Sequence, residues 1–289
     1  MKKILSIAQA PAGHWVGDGF PVQSMFSYQH NAEAFSPFLM LDYAAPTSFT
    51  PNTGDRRGVG AHPHRGFETV TIVYAGEVEH RDSTGHGGVI STGDVQWMTA
   101  GSGIAHDEFH SEKYSHSGGP FQMVQLWVNL PAKDKMAAPG YQAITDASIP
   151  SVPIGDNAAG SVRVIAGEYS GHKGPAHTFT QMNVLDIQLG AGRTIDLPQP
   201  DGWTTLLLVQ EGALKINDSA SASKSQLVML SREGNTVKIA AEQNARVLLL
   251  AGQPIDEPIV GYGPFVMNSR QEIERAINDF NSGKFGQIN

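Results

Sequence analysis

The sequence predicts an all-β protein of two domains with a single helix near its C-terminus. Its 289 residues are enough for two domains of ordinary size, each with its own hydrophobic core. Short segments of β-branched and other apolar residues recur along the chain, separated by turns such as 83–88 and 91–94. The 32 glycines and 17 prolines follow no period, which favours many tight turns over a helical or fibrous fold. This pattern is typical of a β-sandwich or β-barrel.

Strand-like segments occur in both halves of the chain. They are 70–74, 89–90, 95–98 and 123–128 in the first half, and 162–165, 184–189, 204–209, 227–230 and 247–250 in the second. The stretch from Pro131 to about Gly160 is rich in Pro, Ala, Ser and Asp and shows little alternation. We interpret it as a connection, and we predict one domain over 1–135 and a second over 136–289.

The N-terminus has the beginnings of a signal-peptide pattern, with Lys2 and Lys3 before the apolar stretch 4–7. That stretch is shorter than the ~7–15 apolar residues of a signal-peptide core, so we predict a first β-strand instead. No apolar run approaches the ~18 residues of a membrane span. We therefore expect a cytoplasmic protein with no membrane partner.

The composition restricts partners and metal ligands. The formal net charge is -8, and the densest basic spot is the pair Arg56 and Arg57, so we expect no direct binding of nucleic acid. The chain has no cysteine, which excludes disulfides and thiolate metal sites. Any metal must therefore be held by nitrogen and oxygen ligands. We expect the protein to be a monomer.

The two halves show a weak internal repeat. Residues 62–82 align on 198–218, and the identical pairs are Gly66 with Gly202, Thr69 with Thr205, Val73 with Val209, Gly76 with Gly212, and Asp82 with Asp218. A duplicated domain is the economical explanation. In this register His62 and His64 fall on Pro198 and Pro200, which have no ligand atom in their side chains. We therefore expect no metal in the second domain.

The C-terminal helix is predicted from its caps and its apolar stripe. Ser269 and Glu272 have the spacing of a capping box. An apolar face follows at helical spacing, formed by Ile273, Ala276, Ile277 and Phe280. The segment 281–283, which ends in glycine, predicts the end of the helix. We expect a structural helix that packs on a barrel.

Two pairs of side chains with ligand chemistry mark a candidate metal site. His62 and His64 are two residues apart, so in an extended strand they lie on one face. His106 and Glu108 repeat that spacing about forty residues later. Glycines precede both pairs and permit the close backbone approach that the mouth of a barrel needs. Several strands lie between the pairs, enough to return the second pair to the side of the first.

These motifs resemble the cupin superfamily, and within it the pirin family. The order His62, His64, Glu68 and Gly76 is that of the first cupin motif, with one extra residue before the glycine. The second motif departs from the general cupin pattern around His106. The pirin-like segments are HPHRGFETVTIVYAGEVEHRDSTGHGG (62–88), GDVQWMTAGSGIAHDE (93–108), QLWVNLP (125–131), GPFVMN (263–268) and GKFG (283–286). The resemblance spans essentially the whole chain and implies a bicupin: two tandem antiparallel, jelly-roll β-barrels, the second degenerate.

The resemblance to pirins also implies the ligands of one divalent ion: His62, His64, His106 and Glu108 in the N-terminal barrel. Glu68, the acid of a generic cupin site, is not a pirin ligand and is expected to be structural or to support a ligand. Such a nitrogen and oxygen set suits Fe(II), Mn(II), Ni(II), Co(II) or Cu(II) and permits Zn(II). The resemblance favours iron. For the histidines outside the motifs we expect turn or hydrogen-bonding roles: His80, His86, His110, His116, His172 and His177.

The resemblance implies a metal-dependent dioxygenase, since some bacterial pirins open the ring of the flavonol quercetin with O2. The partners would be a small aromatic, flavonol-like substrate and O2, with Glu108 as the base that takes the substrate proton. Four side chains could line a pocket for flat rings, or belong to the core: Trp97, Met98, Phe121 and Trp127. An alternative is a regulatory module that binds a protein partner, as eukaryotic pirins are associated with transcriptional co-regulation. A cupin that acts on another small molecule is the third reading.

Overall fold

The chain forms two compact units in a computed structural model that describes residues 1–155 and 159–288. The N-terminal unit consists of residues 11–146 together with the end of the chain from residue 255. The C-terminal unit consists of residues 147–254 together with residues 1–10. Each unit therefore incorporates a segment from the opposite end of the chain. These ranges differ from the continuous domains 1–135 and 136–289 expected from the sequence.

The regular elements are mostly short strands. Up to residue 145 they are β1 (Ile4–Gln9), β2 (His14–Val16), β3 (Phe20–Ser27), α1 (Tyr28–Phe35), β4 (Phe38–Phe49), β5 (Gly58–His64), β6 (Phe67–Ala75), β7 (Val78–Asp82), β8 (Gly87–Ile90), β9 (Val95–Thr99), β10 (Ile104–His110), α2 (Glu112–Ser117), β11 (Gly119–Asn129) and β12 (Gly140–Ile144). The later ones are β13 (Ser151–Pro153), β14 (Gly160–Ala166), β15 (Glu168–Tyr169), β16 (His172–Lys173), β17 (Met182–Leu189), β18 (Thr194–Pro198), β19 (Thr204–Glu211), β20 (Ala213–Ile216), β21 (Ala220–Ser223), β22 (Gln226–Leu230), β23 (Thr236–Ala241), β24 (Ala245–Gly252), β25 (Val260–Tyr262), β26 (Phe265–Met267) and α3 (Arg270–Asn281). Two 3-10 helices cover Ala132–Asp134 and Asp146–Ser148.

In the described residues, each unit has one seven-stranded, one four-stranded and one two-stranded antiparallel sheet, the last being β25-β26 in the N-terminal unit and β15-β16 in the C-terminal unit. In the N-terminal unit the orders are β12-β9-β6-β11-β4-β3-β2 and β5-β10-β7-β8. In the C-terminal unit they are β1-β22-β19-β24-β17-β14-β13 and β18-β23-β20-β21. The predicted all-β, cupin-like fold is confirmed, but the expected barrels are not closed, because the two larger sheets of a unit are not hydrogen-bonded into one ring. Apolar side chains from both sheets fill the space between them, as in a sandwich.

The two units share one strand arrangement. The repeat register from the sequence places β6 on β19 and β7 on β20, which hold matching places in the two sheet orders. Their interiors differ in chemistry. His80 pairs with Glu108 across β7 and β10, whereas the corresponding pair across β20 and β23 is Ile216 with Ile239. Both isoleucines are fully buried in the apolar core of the C-terminal unit.

The predicted connection contains two strands that the sequence pattern did not indicate. The strand β12 pairs with β9 at the edge of the N-terminal unit, and β13 pairs with β14 at the edge of the C-terminal unit. An edge strand buries less of its side chains, so it needs little apolar alternation. Four of the five β12 residues are partly or fully exposed, and so are two of the three in β13.

The C-terminal helix forms as predicted. Ser269 is the N-cap of α3, its Oγ accepts from the N–H of Glu272, and Gly283 follows the helix with a positive φ of 78°. The helix packs Ile273 and Ala276 against Phe265, within the N-terminal unit. Among the described residues, no helix is long and apolar enough to cross a membrane.

Candidate metal centre and its cavity

The two sequence motifs lie side by side on neighbouring strands of the four-stranded sheet. In the antiparallel pairing of β5 with β10, His106 is opposite His62, and Ile104 is opposite His64. The register shifts between His106 and Glu108, so that Glu108 is opposite Val59. One extra residue on β5 makes this irregularity a β-bulge, a device that redirects side chains next to functional sites.

Three imidazoles meet at this place. The ring centroids of His62 and His106 are 4.3 Å apart, those of His64 and His106 are 4.8 Å apart, and those of His62 and His64 are 4.9 Å apart. One ring nitrogen from each residue lies within 4.8 Å of the others. His64 and His106 are buried, whereas His62 is half-buried. The three predicted histidine ligands are therefore brought together.

The hydrogen bonds leave nitrogen lone pairs available at this cluster. The Nδ1–H of His62 donates to the carbonyl of Gly60 at 2.9 Å, which leaves its Nε2 as an acceptor. His64 Nδ1 and His106 Nε2 are buried and have no hydrogen-bond partner among the described residues. Burial, reinforced by the neighbouring imidazoles, lowers the pKa of both rings well below its ordinary value. Neutral imidazoles with unpaired nitrogens are what a divalent metal ion requires, so these residues fit such an ion.

Glu108 joins the cluster through His106. Its carboxylate forms a second compact group with His80 and His106, again within 4.8 Å. The hydroxyl of Thr71 lies 3.3 Å from Glu108 Oε1. Within that distance no single group among the described residues contains all four predicted ligands. The structure thus places Glu108 beside the three histidines, with His106 as the shared member.

His80 is a residue whose position the sequence reasoning missed. It is fully buried, and its Nε2–H donates to Asp82 Oδ2 at 3.3 Å. Burial alone would raise the pKa of Asp82, but hydrogen bonds from His80 and Thr84 outweigh it and lower that pKa below its ordinary value. Because the Nε2–H of His80 donates to Asp82, its Nδ1 is an acceptor for the Nδ1–H of His106, 3.2 Å away. These two hydrogen bonds fix the tautomer of His106 that presents Nε2, as partners of metal-binding histidines commonly do.

Glu68 lies away from the cluster. Alternation along β6 places it on the face opposite Thr71, and its Oε1 accepts from the hydroxyl of Thr99 at 2.8 Å. Burial raises the pKa of Glu68 to about 7. Glu68 belongs to neither of the groups that could hold a metal among the described residues.

The other histidines make local contacts. His110 is buried among aromatic rings, and its Nε2–H donates to the carbonyl of Gly19 at 2.9 Å. His86 contacts the hydroxyl of Thr84 at 2.7 Å. The Nδ1–H of His172 donates to the carbonyl of Ser170 at 3.0 Å. These contacts agree with the structural roles expected from the sequence.

A cavity of about 610 Å³ opens onto the cluster, within the usual size range of small-molecule sites. His62, His64 and Glu108 form part of its wall, and its apolar lining consists of Val16, Phe20, Val22, Met40, Val59, Met123, Trp127 and Pro264. Of the four side chains considered for an aromatic pocket, Trp127 lines this cavity. The other three are buried elsewhere: Trp97, Met98 and Phe121.

Two family models match the chain. The model described as Pirin matches residues 19–128, which include the whole cluster, and the Pirin C-terminal cupin domain matches residues 184–286. A solved structure described as quercetin 2,3-dioxygenase from Acinetobacter baumannii is 54% identical, with a TM-score of 0.96 over 100% of both chains. A bacterial pirin from Escherichia coli, solved in complex with nickel(II), is 21% identical with a TM-score of 0.65, covers 86% of this chain and 99% of its own, and shows likeness of fold.

Curated relatives match over the full length. A Pseudomonas aeruginosa protein named "Putative quercetin 2,3-dioxygenase" is 54% identical over 285 residues, or 99% of each chain. A "Pirin-like protein" of Solanum lycopersicum is 38% identical over 289 residues, which cover 99% of this chain and 92% of the relative. With matches to both domains and identities of this size along its length, the chain belongs to the pirin family.

Proposed function

We propose that this protein is a metal-dependent dioxygenase that opens the ring of a flavonol such as quercetin with O2. The observation that carries the proposal is the cluster of three imidazoles at the wall of a largely apolar cavity. In this cluster one buried nitrogen of His64 and one of His106 have no hydrogen-bond partner among the described residues, and burial lowers the pKa of both rings. The names of the relatives with 54% identity support the same activity.

The proposed ligands are His62, His64, His106 and Glu108, holding one ion for which iron(II) is our choice. Nitrogen and carboxylate donors also accept Ni, Co, Mn, Cu and Zn. When bound, the ion would supply Lewis-acid and redox chemistry to the substrate. The C-terminal unit has Pro198, Pro200 and the buried Ile216–Ile239 pair at the corresponding places, which supports one ion per chain.

The protein side chains have separate tasks in this proposal. Glu108 takes the proton of the flavonol hydroxyl at a carboxylate oxygen, and the Thr71 hydroxyl lies 3.3 Å from that carboxylate. Trp127 and the apolar lining hold the flat rings and exclude water. The hydrogen bonds of His80 with Asp82 and with His106 keep His106 in the tautomer that presents Nε2 to the ion.

The test is oxygen uptake by metal-analysed protein. The protein is purified without oxygen, loaded with iron(II), and mixed with a panel of flavonols in an oxygen-electrode cell. We expect uptake that scales with bound iron and that requires a flavonol. His106→Ala provides the inactive control, and His116→Ala, a change of an exposed histidine outside the cavity, should behave as the unmodified protein. Iron-replete protein that consumes no oxygen with any flavonol would refute the proposal and favour the alternative, a regulatory module that binds a protein partner.

We also propose a cytoplasmic monomer, as the sequence predicts. Light scattering on the purified protein should give the mass of one 30.9 kDa chain. A dimer mass would overturn that part of the proposal without affecting the chemistry.

A further inference from the structure

We propose that Asp42 and Gln125 form a recognition pair for two adjacent hydroxyl groups, a catechol, on the ring of the substrate that lies far from the metal cluster. This inference rests on the proposed function, since it names the part of a flavonol that the protein selects. No predicted site residue belongs to the pair.

The pair lies in a row of polar side chains that crosses the seven-stranded sheet. Ser24 on β3 is opposite Asp42 on β4, Asp42 is opposite Gln125 on β11, and Gln125 is opposite Thr71 on β6. Residues opposite one another in a sheet share a face. Ser24, Asp42 and Gln125 all line the cavity, and Thr71 reaches Glu108 at its inner end.

Asp42 offers an unsatisfied acceptor. Only 6% of the residue is exposed, and its Oδ1 accepts from the hydroxyl of Ser24 at 2.5 Å. Among the described residues no hydrogen bond reaches Oδ2, and Asp42 is one of the residues that line the cavity. Burial outweighs the opposing effects of Ser24 and the nearby His14 and raises the pKa of Asp42 above its ordinary value. A carboxylate so deeply placed is costly unless a ligand completes its hydrogen bonds.

Gln125 offers a donor next to that acceptor. Its Oε1 accepts from the hydroxyl of Thr71 at 2.9 Å, which leaves the amide N–H groups to point elsewhere. No acceptor among the described residues takes them, and Gln125 lines the cavity. An adjacent acceptor and donor match a catechol, in which one hydroxyl donates to Asp42 while its neighbour accepts from Gln125. A single hydroxyl would leave one of the two protein groups unpaired.

The spacing fits a flavonol that spans the cavity. Neighbouring strands are ~4.8 Å apart, so Asp42 lies two strands, or roughly 10 Å, from Thr71. The Thr71 hydroxyl is 3.3 Å from Glu108 Oε1. A three-ring molecule with its reacting hydroxyl at Glu108 therefore extends its distant ring towards Asp42 and Gln125.

The experiment measures binding rather than turnover. Protein loaded with zinc(II), which has no redox chemistry, is titrated under argon with quercetin, kaempferol and galangin, which carry two, one and no hydroxyls on the distant ring. We expect quercetin to bind about tenfold or more tightly than galangin, the worth of a hydrogen bond to a charged group. Asp42→Asn and Gln125→Met should each remove most of that preference. Asp94→Asn, which changes a turn carboxylate outside the cavity, should preserve it.

Three results would overturn the inference, and they are distinguishable. Equal binding of quercetin and galangin by the unmodified protein, or an equal loss for both ligands in Asp42→Asn, would remove the recognition pair and leave the dioxygenase intact. Failure of the unmodified protein to bind any of the three flavonols would remove the proposed function together with the pair. The unmodified protein alone decides the first comparison, so the test does not depend on the folding of either variant.

Discussion

His106 is the residue on which the candidate centre depends most. It is the one member common to both groups of potential ligands among the described residues, and its ring lies within 5.1 Å of the rings of His62, His64 and His80. Its Nε2 is buried and has no hydrogen-bond partner in the described part of the chain, while its Nδ1–H donates to His80. This arrangement leaves one nitrogen for an ion and none for water.

We therefore expect His106→Ala to lose most of the bound metal while the fold is retained. The side chain contributes a ligand, whereas strand packing holds the sheets together. Elemental analysis and circular dichroism of the variant check both parts, with His116→Ala as the control. An unfolded or insoluble His106→Ala protein would mean that the metal is structural and would weaken the enzyme proposal.

Glu108 has two proposed tasks, which a conservative change separates. Glu108→Gln retains an amide oxygen as a weak ligand but cannot accept a proton. We expect it to keep much of its iron and to lose about 10²–10⁴-fold in flavonol turnover, the usual cost of removing a general base. Rates are compared after division by measured iron content. A metal-replete variant with unchanged turnover would exclude Glu108 as the base.

Site residues can be predicted from the sequence where two ligands lie two positions apart on a single strand. The spacing of His62 with His64 is visible in the chain itself because alternation in a strand is local. The contact of His80 with His106 depends instead on how β7 pairs with β10, which no local pattern specifies. The spacing of His80 and Asp82 was an available signal, since residues two apart on a strand share a face.

At the scale of elements, the end of β5 is held by the C-terminal hairpin, which consists of β25 and β26. The turn after His64 contains Gly66, whose φ is +89°, and a Cβ there would lie 2.0 Å from the carbonyl oxygen of Val266 on β26. Lys135, only 1% exposed, donates to the carbonyls of Gly66 and Val266 at 2.8 and 2.9 Å and to Asn129 Oδ1 at 2.7 Å. One buried ammonium thus joins the turn, the end of β11 and the hairpin.

We expect Lys135→Met to lower the free energy of unfolding by at least about 2 kcal/mol, because three buried acceptors lose their donor. Urea denaturation measures this loss. Lys133→Met, two residues away with a side chain that is 80% exposed, serves as the control and should change stability by less than about 0.5 kcal/mol. If the two variants have the same midpoint, the Lys135 bonds do not stabilise the hairpin junction.

Strongly patterned elements were predicted well and weakly patterned ones were not. The capping box and apolar stripe of α3 are local signals, and so is the β-branched run of β6. The edge strand β12 owes its conformation to pairing with β9, and its sequence lacks alternation. For the same reason the sequence after Pro131 indicated a connection, although this interval contributes strands to both units.

At the scale of the whole molecule, the internal repeat indicated that the two units share one strand order. The sequence did not indicate that each unit includes a segment from the opposite end of the chain. β1 pairs with β22, more than two hundred residues later, and α3 packs in the N-terminal unit. Such pairings depend on which sheet edge the other strands of each unit leave unpaired. Neither end carries a sequence signal for its partner, so a single boundary near residue 135 was the simplest division.

The central claim is that one ion is held in the N-terminal unit by His62, His64, His106 and Glu108. An anomalous difference map from crystals of the iron-loaded protein, recorded just above the iron absorption edge, tests it most directly. We predict one peak per chain, about 2.0–2.2 Å from one nitrogen of each histidine and from a carboxylate oxygen of Glu108. A peak near Pro198 in the C-terminal unit, or one bound by His80 in place of Glu108, would contradict it.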